Sequence, residues 1–560
     1  MTIPGIGNFH KTLPHNEFGE VSQTDFAIFR QIIAHGQSVE EFDKVPGPTI
    51  PADTKSDIQL VNPVAGRSAS TLGPDPRAAG FPTPPDVASN ATAVEMLELF
   101  WHAHLRDLPF NKWHGNEEVS EALKEIKQHS PKALHDGGLR LRLDLPQTEY
   151  HELDIRPETL FRLGLLSEDK GPLVSQFFLH DVGFGTQLIV QKQQPYRINA
   201  DYLKSYDDWI RAQNLGVDYN GNGYPKANTG PEFLEGNGTI WRRIQNLRDL
   251  ARFVHKDALH QAYFNAALLL IGWEARVDNG NPYRSVDFGG ASRQRGFGSL
   301  GAPHLLTLVS EVASRALQVV WYQKWQKHLR LRPEAYGGLM QMQREGFNRQ
   351  KRNYGLPEWL FETWATQSAH SKNKTWFLPM AFSSGSPLHP AYGAGHATVA
   401  GACVTILKAW FQEDQPFETL VNGKTHPLTG KPVRIVQPGD ASIDVDDGTG
   451  GKELPDYFGH DKIKMTVGGE LNKIAANVAM GRSYGGVHWR SDNSRSLRLG
   501  ERIAVEILAD MSAKVAERNE LSLEFWSFDR QKVVIQGGQI SVGGGASFPA
   551  KDTFANWPII

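Results

Sequence analysis

Sulfur chemistry is nearly absent from this chain: its 560 residues include one cysteine, Cys403, so no intrachain disulfide can form. Cys403 falls in an apolar run, where it is expected to be a small buried hydrophobe. No run of about 18 or more apolar residues occurs, which argues against a transmembrane helix. The longest runs, such as AALLLIGW at 266–273, are too short and have polar flanks. An excess of one charge is missing too. Lys and Arg number 59 against 62 Asp and Glu, a formal net charge of −3, so neither nucleic acid nor an anionic membrane is an expected partner. The opening MTIPGIGNFHKTLPHNEFGE has no basic segment followed by an apolar one, so no signal peptide is expected, and the expected location is cytoplasmic.

What the chain does have is helical periodicity. From residue 93 onward, AVEMLELFWHAHLRDL, the segment 202–215, IQNLRDLARFVHKDALHQAYFNAALLLIGWEAR and LLTLVSEVASRALQVVWYQKWQKHLR carry apolar residues at spacings of three and four. Strand patterns are confined to QLIVQ at 187–191 and VVIQGGQISVG near the C-terminus. The expected class is mainly α, a large helical-bundle domain of two four-helix-bundle-like halves with few short strands. Residues 45–90 are rich in Pro, Gly, Ser and Asp and cannot hold long helices; they read as an extended arm over the surface or a neighbouring subunit, or as a mobile tail. The expected organisation is an N-terminal arm and surface segment (1–92), a helical domain with the site (93–515), and a tail with a short β-hairpin (516–560).

DYNGNG at 218–223 copies the first half of a calcium loop, but its twelfth position is Thr229 and Pro225 interrupts it. A turn built from Asn and Gly is the simpler reading. The acidic run DASIDVDDGTGG at 440–451 fits no loop spacing and reads as a solvated excursion.

Three segments carry chemistry. In YQKWQKHLRLRPEAYGG (322–338), an unbroken helix would leave Lys324 and Arg332 about 80° apart after roughly 2.2 turns. Pro333 disfavours a helical Arg332, and a break just before it would let both cations reach one point. Alone, such a basic helix end is a solvated face or a complement to the helix dipole. In HPAYGAGHATVAGACVTILKAWF (389–411), Gly395 and His396 are expected at the N-terminus of a buried helix, whose free amides favour an anion. In GELNKIAANVAMGRSYGGVHWRSDN (469–493), one helix is expected to end near Gly481 and another to begin near His488. Asp492, four residues on, would share a helix face with His488, accept a ring N–H and leave Nε2 free as nucleophile or ligand. Together the segments offer three cations, backbone donors and two histidines, a set suited to a compact, multiply charged oxyanion.

These motifs, K-x7-RP at 324–333, Gly395-His396 and R-x5-H-x3-D at 482–492, resemble those of the vanadium-dependent haloperoxidases. That family shares its site pattern with acid phosphatases related to the lipid phosphatases. The three segments look like its algal and cyanobacterial bromoperoxidase branch, and the likeness runs with varying strength from about 93 to 515. The resemblance implies that His488 binds the vanadium of vanadate through nitrogen, while Lys324, Arg332, Arg482 and the Gly395 N–H hold its oxygens. It implies His396 as acid–base group, Lys324 as the group polarising bound peroxide, and Asp492 as support for His488. Hydrogen peroxide, bromide or iodide, and organic halogen acceptors would be the substrates. The alternative is an acid phosphatase with His488 as nucleophile; inorganic phosphate would in either case compete. The branch also implies a homo-oligomer built from helical dimers, up to a dodecamer.

Three positions bear on specificity. A histidine matching His389 accompanies bromide activity in this branch, where chloroperoxidase relatives carry an aromatic residue. Trp321 stands where red-algal members resemble an arginine-bearing pattern, which implies a different halide neighbourhood. Ala394 stands where many members carry a serine that donates to vanadate, a loss of roughly 1.5–3 kcal/mol of anion binding unless water substitutes. The calcium-loop residues of red-algal members find no counterpart in RSVDFGGASRQRGFG at 284–298, so calcium is not carried over.

Overall fold

Nothing in GHATVAGACVTILKAW interrupts a helix, and in the computed structural model of the chain these residues form the helix Gly395–Trp410. The structure describes residues 5–80, 82–135, 156–224, 230–233, 241–284, 289–290, 293–439 and 454–557. Every residue of the Gly395–Trp410 helix except His396 is buried, including the single thiol, Cys403. Helices Ala302–Tyr322, Val467–Tyr484 and Arg490–Lys514 pack around it. The approach to the last is very close: a Cβ at Gly401 would lie 2.0 Å from the Leu497 carbonyl oxygen, and one at Gly500 2.0 Å from that of Thr398.

The fold is mainly helical, as expected, with short strands. The long apolar pattern of 244–276 does not make one helix. It splits into Leu247–Lys256 and Gln261–Gly272, because Asp257 leaves the helical region (φ −67°, ψ 151°). The expected strand at 187–191 becomes β2 (Gln187–Ile189), paired antiparallel with β1 (Val182–Phe184). Near the C-terminus, β3 (Ser522–Trp526), β4 (Lys532–Gln536), β5 (Gln539–Val542) and β6 (Phe548–Pro549) form an antiparallel sheet in that order. The expected hairpin is β4–β5, turning at Gly537 and Gly538, both with positive φ. β3 was not foreseen, although Leu523 and Phe525 alternate inward.

The N-terminal residues belong to the main core: Phe9 and Leu13 are buried there, and Lys11 forms a buried pair with Glu334 at 2.8 Å. Residues 45–80 and 82–89 hold no helix beyond a short 3₁₀ turn at Ala65–Arg67, and they lie on their own bundle. Asp57 N donates to Leu215 O at 2.8 Å and Val61 N to Leu388 O at 3.0 Å.

In the 218–223 loop, Asp218 accepts from the backbone and side-chain nitrogens of Asn222 at 2.7 and 2.9 Å, closing a turn on itself. Pro225, Thr229, the acidic run 440–451, and residues 285–288 and 291–292 lie outside the described residues. Among the described residues no helix is long and apolar enough to cross a membrane.

Candidate active site

The helix Ala302–Tyr322 ends in a π-helical turn, Gln323–His328, and Leu329 then adopts a left-handed φ of 47°. The chain therefore breaks earlier than Pro333 alone suggests. Arg332, extended as a residue before proline must be, caps the helix Pro333–Arg344. The break brings the two cations of this segment to one wall. Lys324 Nζ donates to the carbonyls of Pro390 (2.7 Å) and Ala391 (3.1 Å). Arg332 donates to the carbonyls of His389 (3.0 Å) and Val487 (2.7 Å). Arg482, near the end of Val467–Tyr484, donates to Val254 O at 2.6 Å, and its Nε is buried with no partner.

All three side chains are buried, and among the described residues none forms an ion pair with a carboxylate. Taking an ion out of water costs several kcal/mol unless an opposite charge compensates. Burial, reinforced by Arg332 and Arg482, pushes the Lys324 ammonium well below its usual range. Burial and Arg482 likewise bring Arg332 down to about 9. Such a cluster is complementary to a compact anion of more than one charge.

His488 supplies the nitrogen. Its Nε2 lies 3.0 Å from Arg332 Nη1, and its Nδ1 lies 2.9 Å from Asp492 Oδ2. A guanidinium can only donate, so Nε2 carries the lone pair and Nδ1–H donates to Asp492. Burial and the three cations hold the ring neutral, well below the usual histidine value. The two residues do not share a helix face as expected. His488 precedes the helix Arg490–Lys514, and Asp492 folds back as its cap, accepting from Trp489 N at 3.0 Å. Arg330 steadies the other carboxylate oxygen at 2.7 Å and is itself held by Glu95 at 3.0 Å.

His389 and Trp321 sit together, ring centroids 4.9 Å apart and inclined at 45°. His389 Nδ1 accepts from Arg332 Nη2 at 2.9 Å, and the Trp321 indole N–H donates to Val61 O of the N-terminal arm at 3.0 Å. Lys324 Nζ lies 5.6 Å from the Trp321 ring centre. Gly395 opens its helix with no space to spare: a Cβ would lie 3.2 Å from the Trp321 ring. Ala394, the N-cap, offers no side-chain acceptor or donor; its N–H donates to Ser496 Oγ at 2.8 Å.

His396 alone among the residues of its helix reaches toward solvent, and its Nε2 lies 2.9 Å from Asp257 Oδ1. Asp257 went unnoticed in the sequence. It lies 139 residues from His396, and its only local trace is the helix break that it creates. Tyr224, whose ring centre is 5.8 Å from the Arg482 guanidinium, was likewise unforeseen.

Known proteins share this arrangement of sequence. Over 546 residues, 96% of this chain and 88% of the relative, it is 30% identical to a vanadium-dependent bromoperoxidase of Ascophyllum nodosum. This chain belongs to the vanadium-dependent bromoperoxidase family. It is also 29% identical to the family member of Corallina pilulifera, covering 91% of this chain and 88% of that relative. The solved homohexameric structure of a second vanadate-dependent bromoperoxidase from Ascophyllum nodosum superposes with a TM-score of 0.76 at 26% identity, covering 98% of this chain and 88% of that one. Residues 304–517 match the family described as the VCPO second helical-bundle domain. That span holds Lys324, Arg332, His389, His396, Arg482 and His488 of this bromoperoxidase-family chain, while Asp257 and Val254 come from outside it.

Proposed function

We propose that this chain is a vanadate-dependent bromoperoxidase that oxidises bromide and iodide with hydrogen peroxide, yielding a hypohalous-acid equivalent that halogenates organic compounds. The observation that carries this reading is the set of three buried cations, Lys324, Arg332 and Arg482, with no carboxylate partner among the described residues and a histidine lone pair beside them. Vanadate fits that donor set: it is a multiply charged oxyanion that accepts a nitrogen ligand, and the orphaned Arg482 Nε is a donor still lacking an acceptor.

In this reading His488 is the nitrogen ligand, oriented by Asp492. Lys324, Arg332, Arg482 and the Gly395 N–H hold the oxygens. When bound, vanadate supplies a fully oxidised Lewis-acidic centre that activates hydrogen peroxide toward halide. His396, partnered by Asp257, takes up the proton of incoming peroxide and returns it as water forms. Lys324 polarises the peroxide, and its carbonyl partners keep its ammonium aimed. His389 and Trp321 line the halide side. The homohexameric neighbour also supports a homo-oligomer, which light scattering would measure.

The test is reconstitution with orthovanadate, followed by bromination of a phenolic dye with bromide and hydrogen peroxide, with phosphate as competitor. Vanadate-dependent bromination suppressed by phosphate is expected. Brisk phosphate-ester hydrolysis without vanadate-dependent bromination would overturn the reading in favour of a phosphatase.

A further inference from the structure

A cavity of about 170 Å³ has Asp257, the partner of His396, in its wall. Phe178 and Phe253 line it as an edge-to-face pair, ring centres 4.9 Å apart at 73°. Lys192, Arg252 and Lys256 place three positive charges on the same lining. The Arg252 guanidinium lies 5.1 Å from the centres of both the Tyr196 and Phe233 rings, and its Nε donates to Gln194 O at 3.2 Å, so its position is fixed. Val190, half exposed just beyond β2, borders the opening.

We propose that this cavity binds the organic halogen acceptor and that its preferred ligand is an electron-rich aromatic ring with an anionic substituent, such as a phenolic carboxylate. The inference rests on the bromoperoxidase reading. Its volume suits one substituted ring, since a cavity of about 150 Å³ holds benzene. The aromatic pair offers ring edges and faces to such a guest. Lys192 and Lys256 can pair its carboxylate, and Asp257 on the same lining is already engaged by His396.

The placement also has a chemical logic. Hypobromous acid released on the His396 side meets a held acceptor before it meets bulk peroxide. The ring π pair forms the C–Br bond, the O–Br pair leaves with the oxygen, and the displaced ring proton joins it as water. Across the turnover, arene, bromide, hydrogen peroxide and one proton give bromoarene and two waters.

Binding of 4-hydroxybenzoate to the full chain, measured by equilibrium titration, tests the site without turnover. Saturable binding is expected, weakened about tenfold by Val190→Trp, which fills the opening, and by Lys256→Glu, which reverses a charge. In the vanadate-loaded protein the acceptor KM should rise in parallel, while bromide-dependent peroxide consumption without acceptor stays unchanged. Neutral phenol should feel Val190→Trp but not Lys256→Glu. No saturable binding to the native protein, or unchanged affinity in both variants, would overturn the cavity assignment. Loss of bromide-dependent peroxide consumption in the native protein would fault the bromoperoxidase reading separately, and the titration would still decide the cavity.

Discussion

Arg332 donates through Nη1 to Nε2 of His488 at 3.0 Å, and this one contact fixes both the tautomer of the imidazole and the direction of its lone pair. The other ring nitrogen has no choice but to give its proton to Asp492. Replacing a carboxylate behind a ligating histidine typically costs about 10–100-fold in affinity. Asp492→Asn is therefore expected to weaken vanadate binding by that range, and His488→Ala to abolish it. Vanadate titration of recovered activity measures both; a fully active His488→Ala protein would remove His488 from the site.

Lys324 is buried without an ion-pair partner among the described residues, which has opposite consequences in the empty and loaded protein. Lys324→Met should raise the melting temperature of the vanadate-free protein by removing a desolvated charge. The same change should weaken vanadate about 10–100-fold, the worth of a charge-assisted hydrogen bond of roughly 1.5–3 kcal/mol. Thermal scans with and without vanadate read both effects, and a destabilised vanadate-free variant would contradict the charge argument.

Ala394 caps its helix without a hydroxyl. Ala394→Ser should tighten vanadate about 10–100-fold if the new hydroxyl gains a hydrogen bond worth roughly 1.5–3 kcal/mol. Competition with phosphate should shift alongside, and equal affinity in both proteins would show that the cradle does not need this donor.

His396 and Asp257 act on protons, not on anion affinity. His396→Ala should cut kcat about 100-fold or more while vanadate affinity is largely kept. Asp257→Asn should give a smaller loss of the same kind. Steady-state kinetics at saturating vanadate separates this from a binding defect.

Glu501 tests pH dependence far from the site. It accepts from Phe528 N beside β3, its second oxygen is buried without a partner, and burial pushes its pKa from 4.5 up to about 8. Between those values the folded state holds a proton that the unfolded state has released, so Glu501 makes stability fall as pH rises through that window. Glu501→Gln should flatten the decline, leaving the variant more stable than the native protein at about pH 9 and nearly equal at about pH 4. Melting temperatures across pH would show it.

The legible part of the site is local in sequence. Lys324 with Arg332, Gly395 with His396, and Arg482 with His488 each lie within a few turns of one another, and proline and glycine mark the breaks between them. The supporting contacts are not local. Arg330 with Glu95 spans 235 residues, Ser491 with Glu95 spans 396, and Lys11 with Glu334 spans 323. No periodicity encodes such partners; tertiary packing selects them. Asp257 is the sharpest case, because KDALHQ contains no proline or glycine and the helix stops there only in the folded chain. The helical class was legible because apolar spacing repeats over many turns, whereas β3 is five residues long and its alternation is too brief to stand out.

The buried position of Cys403 bears on how long such a catalyst would last. Hypohalous acids attack sulfur before most other protein groups, thiols and thioethers first. Here the single thiol is fully enclosed, and Met96, Met340, Met342, Met380, Met465 and Met480 are buried as well. Among the described residues the chain thus keeps all its sulfur but that of the partly buried Met511 out of reach of the oxidant it would release. Its working life would be set by that thioether first and then by the exposed indoles of Trp241, Trp364 and Trp526.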